Sequence, residues 1–371
     1  MVEFLKEDKK KLETYSIYFE PQFKPLGFPV GMDIELKENL IINIKPEFGY
    51  LRRGIEKIVE GMEINRVIPF IDRVDCSSGI STELAFCIGL ERNFKINVPI
   101  RARFIRTILC ELSRISSHLL WSVKLANALG MYNALHYCLR EREEVLHLIE
   151  TVTGSRLTPN FIRIGGVKTD LSDKHIDNLK KFLKSFRRKI NSLKIFFLDN
   201  ELVVNKLNNL GILTKQDAEK LEVTGPNIRA LGISKDIRTD DNYEIYDELS
   251  FKVPIGNKGD CLDRCMVRIE EIEQSISIIS QALYKMPRGE INIYREEINQ
   301  SSENIFSHVE CPHGELSMDI SLNEGKITEL KIRGPSYNSL FAFTKAAIGE
   351  EVENVELILR SFDICVCEVD K

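Results

Sequence analysis

Nine cysteines and six histidines lie scattered through 371 residues, and their spacing decides which chemistry they could share. Thiolates hold soft metals and clusters when they come in close sets, yet no C-x-x-C occurs and no Cys series has the spacing of an iron–sulfur site. Cys261 and Cys265 lie four residues apart, one helical turn, with no further ligand beside them, and read as packing. Glu111, Arg114 and His118 recur at i, i+3 and i+7 on one helix face, and Arg140-Glu141-Arg142-Glu143 alternates in sign over a single turn. The bland reading of both is an ion-paired, solvated face. The functional one is a set of buried charges that hold the chain against a partner subunit, with His118 by itself a satisfied helix-face histidine. Neither G-x-G-x-x-G nor G-x-x-x-x-G-K-[ST] is present, so no nucleotide site is visible. Any electrons this chain handles must come from a cluster held by a neighbour.

The positioning elements follow from pattern. The first 46 residues read as a β lobe, with strands at Ser16–Phe19 and Ile41–Ile44 separated by Pro21, Pro25, Gly27, Pro29 and Gly31. Residues 47–286 read as a helical bundle. Pro99 and Gly130 bracket Ile105, Ile108, Leu109, Leu112, Ile115 and Leu119, which recur at helical spacing. That predicts a helix of roughly 30 residues and roughly 45 Å. Further helices are expected over Tyr132–Val152, Ser172–Leu210 and Gly259–Met286, with Thr224–Pro254 looping over the bundle. Residues 287–371 read as an α/β portion: strands at Leu316–Leu322 and Ile327–Ile332 around Asn323-Glu324-Gly325, then helices at Leu340–Ala347 and Val352–Arg360. The fold class is α+β, mostly α.

A formal net charge of -5 without a basic stripe argues against nucleic acid as a partner. Cysteines without a disulfide framework, and an N-terminus lacking an apolar signal region, suit a cytoplasmic chain with reduced thiols. No apolar run approaches the roughly 20 residues of a spanning helix, and Lys124 breaks the greasy stretch around Trp121. A membrane link must come through partners.

Several segments together resemble the D-type large subunit of complex I (NADH-quinone oxidoreductase), a relative of the nickel–iron hydrogenase large subunits. They are Gly49–Lys57, Glu111–Leu119, Arg140–Glu143, Arg163–Val167, Gly259–Arg264, Gly314–Leu316, Arg333–Ser336 and Glu368–Lys371, in family order over nearly the whole chain. The resemblance implies a hydrogenase large-subunit-like fold and an electron-accepting subunit on the cytoplasmic face of a membrane. Its partners would be a small subunit carrying a [4Fe-4S] cluster and ion-translocating membrane subunits. NADH, if used, would be oxidised in another subunit. Arg73 and Arg163 are expected to face the partner's cluster.

The sequence departs from the family where chemistry is done. Phe23 stands where a quinone-binding histidine is expected, Cys76 follows Arg73-Val74-Asp75 in place of a tyrosine, and Ala128 replaces an aspartate that orients the histidine. In Thr158-Pro159-Asn160-Phe161, a histidine that approaches the cluster is gone. Phenylalanine offers a quinone no proton or hydrogen bond. Nickel–iron ligation needs four thiolates, and the corresponding positions are Asp75, Ser78, Cys365 and Glu368. What the resemblance leaves is a cavity lined by Phe23, Cys76, Ala128, Cys365 and Cys367. There the three thiols would bind a metal ion or a sulfur-containing substrate, with Arg73 lowering their pKa values. The alternatives are a complex I-like quinone reductase, an energy-converting complex with another acceptor, and a silent scaffold that couples redox to ion transport.

Overall fold

The computed structural model describes residues 14–22, 29–293 and 303–371. The N-terminal lobe is an antiparallel meander of β1 (Thr14–Phe19), β2 (Gly31–Lys37) and β3 (Leu40–Glu47). In β2, Met32, Ile34 and Leu36 are buried while Asp33 and Glu35 face outward. Sequence reading finds β1 and β3 but not β2, whose outward carboxylates and flanking breakers disguise the alternation.

Short helices α1 (Ile55–Ile58) and α2 (Ile64–Ile71) lead into α3 (Gly79–Asn93) and the long α4 (Ile100–Ala128). Leu129, Gly130 and Met131 turn the chain into α5 (Tyr132–Thr153), whose C-cap Gly154 is left-handed. Pro99 precedes the first turn of α4 as its cap. A two-residue-per-strand hairpin, β4 (Ile162–Arg163) and β5 (Gly166–Val167), follows. A Cβ on Gly166 would meet the Ile291 carbonyl oxygen at 2.2 Å, so only glycine fits.

The expected single helix over Ser172–Leu210 is two. A capping box of Ser172 and His175 starts α6 (Asp173–Phe197), and α7 (Glu201–Leu207) starts after Asn200, whose side chain accepts from the Leu202 N–H. The apolar spacing runs through the break, so the cap alone marks it.

Next come α8 (Lys215–Lys220), α9 (Pro226–Arg229), α10 (Ile237–Asp240) and a single 3₁₀ turn at Tyr246–Glu248. This segment does not simply loop over the bundle: Arg229, Asp236, Arg238, Tyr243 and Tyr246 are buried within it. Helix α11 (Cys261–Lys285) then packs on α4 and α6.

The C-terminal portion is an antiparallel sheet of β6 (Glu303–Cys311), β7 (Gly314–Asn323) and β8 (Lys326–Arg333), followed by α12 (Pro335–Ala346), α13 (Val355–Phe362) and α14 (Val366–Val369). Glu324 and Gly325 both have positive φ, as a two-residue hairpin turn requires. Strand β6 is not legible in the sequence reading. Apolar residues from Val30 to Val369 form one continuous core. Among the described residues no helix is long and apolar enough to cross a membrane.

The Glu111–Arg114–His118 face of α4 is fully buried, which overturns the solvated reading. Glu111 accepts from Tyr246 Oη (2.7 Å), Ser275 Oγ (2.5 Å) and Arg238 Nη1 (3.2 Å). Arg114 donates to the carbonyls of Glu310 and Cys311, tying α4 to the end of β6. His118 Nε2 meets Glu271 Oε2 at 2.8 Å, and Glu271 Oε1 takes Arg229 Nη2 at 2.6 Å. The Glu111 and Glu271 carboxylates each meet a buried arginine, which is the condition for leaving water.

Candidate functional site

Two segments far apart in sequence meet beside α14. One is the loop between α2 and α3, carrying Asp75 and Cys76; the other joins α13 to α14 and carries Asp363 and Cys365, with Cys367 in the first turn of α14. The sulfurs of Cys76, Cys365 and Cys367 all lie within 4.8 Å of one another, with Cys76 Sγ 4.0 Å from Cys365 Sγ. Cys365 is buried, Cys367 half-buried and Cys76 exposed, so the cluster opens on the surface.

The segments with family resemblance hold this arrangement. Arg53 Nη2 donates to the Cys367 carbonyl (2.6 Å), and its guanidinium also reaches the carbonyls of Arg73 and Val74. Asp370 accepts from the N–H groups of Gly49 (2.7 Å) and Leu51 (2.8 Å), tying the tail to the loop after β3. Cys365 N–H donates to Ser336 Oγ, and Ser336 N–H donates to Glu368 Oε2, both at 3.0 Å. Gly334 makes room for that carboxylate: a Cβ there would lie 2.1 Å from Glu368 Cγ.

The three thiols share one negative charge. Hydrogen bonds from Cys365 and then Cys76, with Arg53 beside them, hold Cys367 well below the usual thiol range. The same bonds with Cys367 and Cys76, added to burial, push Cys365 well above it. For Cys76 the Cys365 bond favours the thiolate, but the Cys367 bond, burial and the Asp75 charge outweigh it and raise the thiol to about 11.

Beneath the thiols runs a line of charged groups. Cys365 Sγ lies 3.3 Å from Asp75 Oδ1, which also accepts from Ser77 N–H and Oγ–H at 2.8 Å each. Asp75 Oδ2 meets His313 Nδ1 at 3.2 Å, and His313 Nε2 lies 3.4 Å from Asp363 Oδ2. Lys124 Nζ meets Asp363 Oδ1 at 3.3 Å. Burial opposes charge on His313, yet Asp75 and Asp363 outweigh it and hold the ring protonated. Burial likewise opposes the Asp363 carboxylate, which Lys124 and His313 keep well below its ordinary range. Glu368 is pushed up to about 7 by burial and by Asp75, and its Oε1 has no hydrogen-bond partner among the described residues.

Of the residues expected in the cavity, Cys76, Cys365 and Cys367 come together. Ala128 ends α4 one turn beyond Lys124, and Phe23 lies outside the described residues. Arg73 does not serve the thiols: it pairs with Asp72 at 2.7 Å and donates to the Pro69 carbonyl. The guanidinium group acting on the cluster is Arg53. The buried Nε of Arg142 has no hydrogen-bond partner among the described residues. Arg73 and Arg163 instead share another patch. Asp72 Oδ2 accepts from Asn160 N–H (3.1 Å), and Arg163 Nη1 donates to Asn160 Oδ1 (2.7 Å). Cys261 and Cys265 are buried in α11. His313 and Asp363 escape sequence reasoning, but Lys124 leaves a signal as the lysine that interrupts an apolar helix. The four positions of a nickel–iron centre supply Asp75, Ser78, Cys365 and Glu368, a single thiol, and do not fit that group.

A long-helix bundle whose inner loop and C-terminal tail meet at a surface-opening polar site defines a class shared with large subunits of respiratory complexes. The sequence pattern of the respiratory-chain NADH dehydrogenase 49 kDa subunit matches residues 128–304 and 292–371. A D-type NADH-quinone oxidoreductase subunit of Chloroherpeton thalassium is 33% identical over 392 residues, covering 98% of this chain and 89% of that one. The D-type subunit of Geobacillus kaustophilus is 37% identical over 341 residues, covering 91% and 93%. The chain belongs to this 49 kDa, or D-type, family of NADH-quinone oxidoreductase subunits. It is also similar to a chain of the solved membrane-bound sulfane sulfur reductase, an archaeal respiratory membrane complex. There the TM-score is 0.92 at 27% identity, covering 98% of this chain and 100% of that one.

Proposed function

We propose that this chain is the large electron-accepting subunit of a complex I-like oxidoreductase, peripheral to the cytoplasmic face of a membrane, and that its acceptor is a sulfur compound bound at the thiol cluster. Electrons come from a [4Fe-4S] cluster in a small partner subunit, and other partners move ions through the membrane. Membership of the 49 kDa family supports the general role. The likeness to a chain of a sulfane sulfur reductase complex supports the acceptor. The observation that carries the reading is the convergence of Cys76, Cys365 and Cys367 within 4.8 Å at an open surface.

In the reaction, an S–S bond takes two electrons from the partner cluster and two protons, and leaves as two thiols, or as a thiol and sulfide. A thiolate is the natural nucleophile toward such a bond. The Arg73–Asp72–Arg163 patch is the surface offered to the cluster, where guanidinium groups favour its reduced form.

The test is turnover of the purified complex with polysulfide and, separately, with a soluble quinone. Sulfide release that disappears in a C76S/C365S/C367S variant of intact assembly supports the reading. Wild-type sulfide release in that variant, or quinone reduction without any sulfide release, overturns it.

A further inference from the structure

Reduction of an S–S bond at a buried cysteine consumes protons that bulk water must supply by some route. This inference rests on the reading of the thiol cluster as the acceptor site. From Cys365 a line of ionisable groups leads inward and out again: Asp75 at 3.3 Å, His313 at 3.2 Å, Asp363 at 3.4 Å and Lys124 at 3.3 Å, the His313–Asp363 step being an ion-pair contact and the others hydrogen bonds. The three inner groups are buried, whereas the Lys124 side chain is 31% exposed. The line therefore starts at water on α4 and ends at sulfur.

We propose that Asp75, His313, Asp363 and Lys124 form a proton-delivery line to Cys365, separate from the open mouth where Cys76 lies. His313 is built for transfer because each ring nitrogen faces a different carboxylate. As the S–S bond of the acceptor takes two electrons from the partner's cluster and breaks, the departing sulfur takes the proton of the Cys365 thiol. Asp75 returns a proton to Cys365 from His313 Nδ1–H. His313 then regains one at Nε2 through Asp363 from the Lys124 ammonium, which water reprotonates. The second proton travels the same way, so each transfer leaves the line as it began.

Other groups fix the direction. Cys311 Sγ lies within 4.8 Å of the His313 ring and Asp75, and the buried Glu368 feels both Asp75 and His313. Arg268 adds positive charge beside Asp363, so a proton parked on that carboxylate is driven onward. The Arg114 bonds to the Glu310 and Cys311 carbonyls anchor the strand that delivers His313.

The assay is polysulfide-dependent sulfide release by the intact complex across pH, in H2O and D2O, for wild type, C365S, H313A and K124M. Supporting results are a fall in kcat of at least about tenfold in H313A and K124M with KM held within about twofold, an altered pH profile, and recovery of H313A by added imidazole. If H313A fails to assemble, K124M decides, since its side chain sits at the surface end. An inactive C365S beside H313A and K124M with wild-type kcat, pH profile and isotope effect overturns the line and leaves the thiol site standing. A C365S variant with wild-type turnover overturns both.

Discussion

Alkylation of Cys367 should be nearly independent of pH where an ordinary thiol changes tenfold per pH unit. At pH 6 a free cysteine with a pKa of about 8.5 is about 0.3% thiolate. Cys367, lowered to about 3 by its bonds from Cys365 and Cys76, is thiolate throughout. That gain in thiolate is roughly 300-fold at pH 6. Nucleophilicity falls with a Brønsted slope of about 0.4–0.5, so a gap of about 5.5 pH units costs roughly the same factor. The absolute rate is thus no guide, and the slope is. Iodoacetamide labelling of the intact complex, read by peptide mass spectrometry from pH 5 to about pH 8, should give a flat profile at Cys367. C365A should restore part of the ordinary slope by removing the leading hydrogen bond. A tenfold rise per pH unit at Cys367 in the wild type would refute the shared-thiolate argument.

Arg229→Met leaves Glu271, Glu310 and Asp236 without their common partner and should cost about 3–5 kcal/mol in thermal or denaturant unfolding. Burial raises the Glu271 carboxyl, but Arg229 outweighs it and holds the group well below its usual value. Its stabilisation is therefore present above the unfolded pKa of about 4.3 and fades as pH falls. The penalty of Arg229→Met should shrink on acidification below about pH 4, and a constant penalty contradicts the assignment. Gly334→Ala drives a Cβ into Glu368 and should destabilise by about 1–3 kcal/mol while loosening the C-terminal tail, visible as faster amide exchange around Cys365. Asp370→Ala removes the acceptor of Gly49 and Leu51, so limited proteolysis should cut near Tyr50 sooner than in wild type.

What the sequence reveals follows from locality. Helix α4 is legible because Pro99 and Gly130 punctuate a strong apolar period, and α5 because Gly154 stops it. The break between α6 and α7 is hidden because apolar spacing continues across it and only Asn200 signals a cap. The buried Glu111, Arg114 and His118 look like a surface face, since charged residues are rarely fully buried without partners. Their partners, Arg238, Glu271 and Glu310, sit more than a hundred residues away. The meeting of Cys76 with Cys365 and Cys367 is likewise invisible to spacing and emerges only through the family resemblance. Which arginine attends the thiols depends on backbone placement, so Arg73, the nearest in sequence, is wrong and Arg53 is right.

The central claim is that the thiol cluster is where acceptor sulfur is held. Incubating the intact complex with polysulfide, without electron donor, and mapping cysteine peptides by mass spectrometry tests it most directly. An added sulfur atom on Cys367, absent in C367S and removed on donor addition, is the expected result. Sustained sulfide release with all three cysteines unmodified at every stage would contradict it.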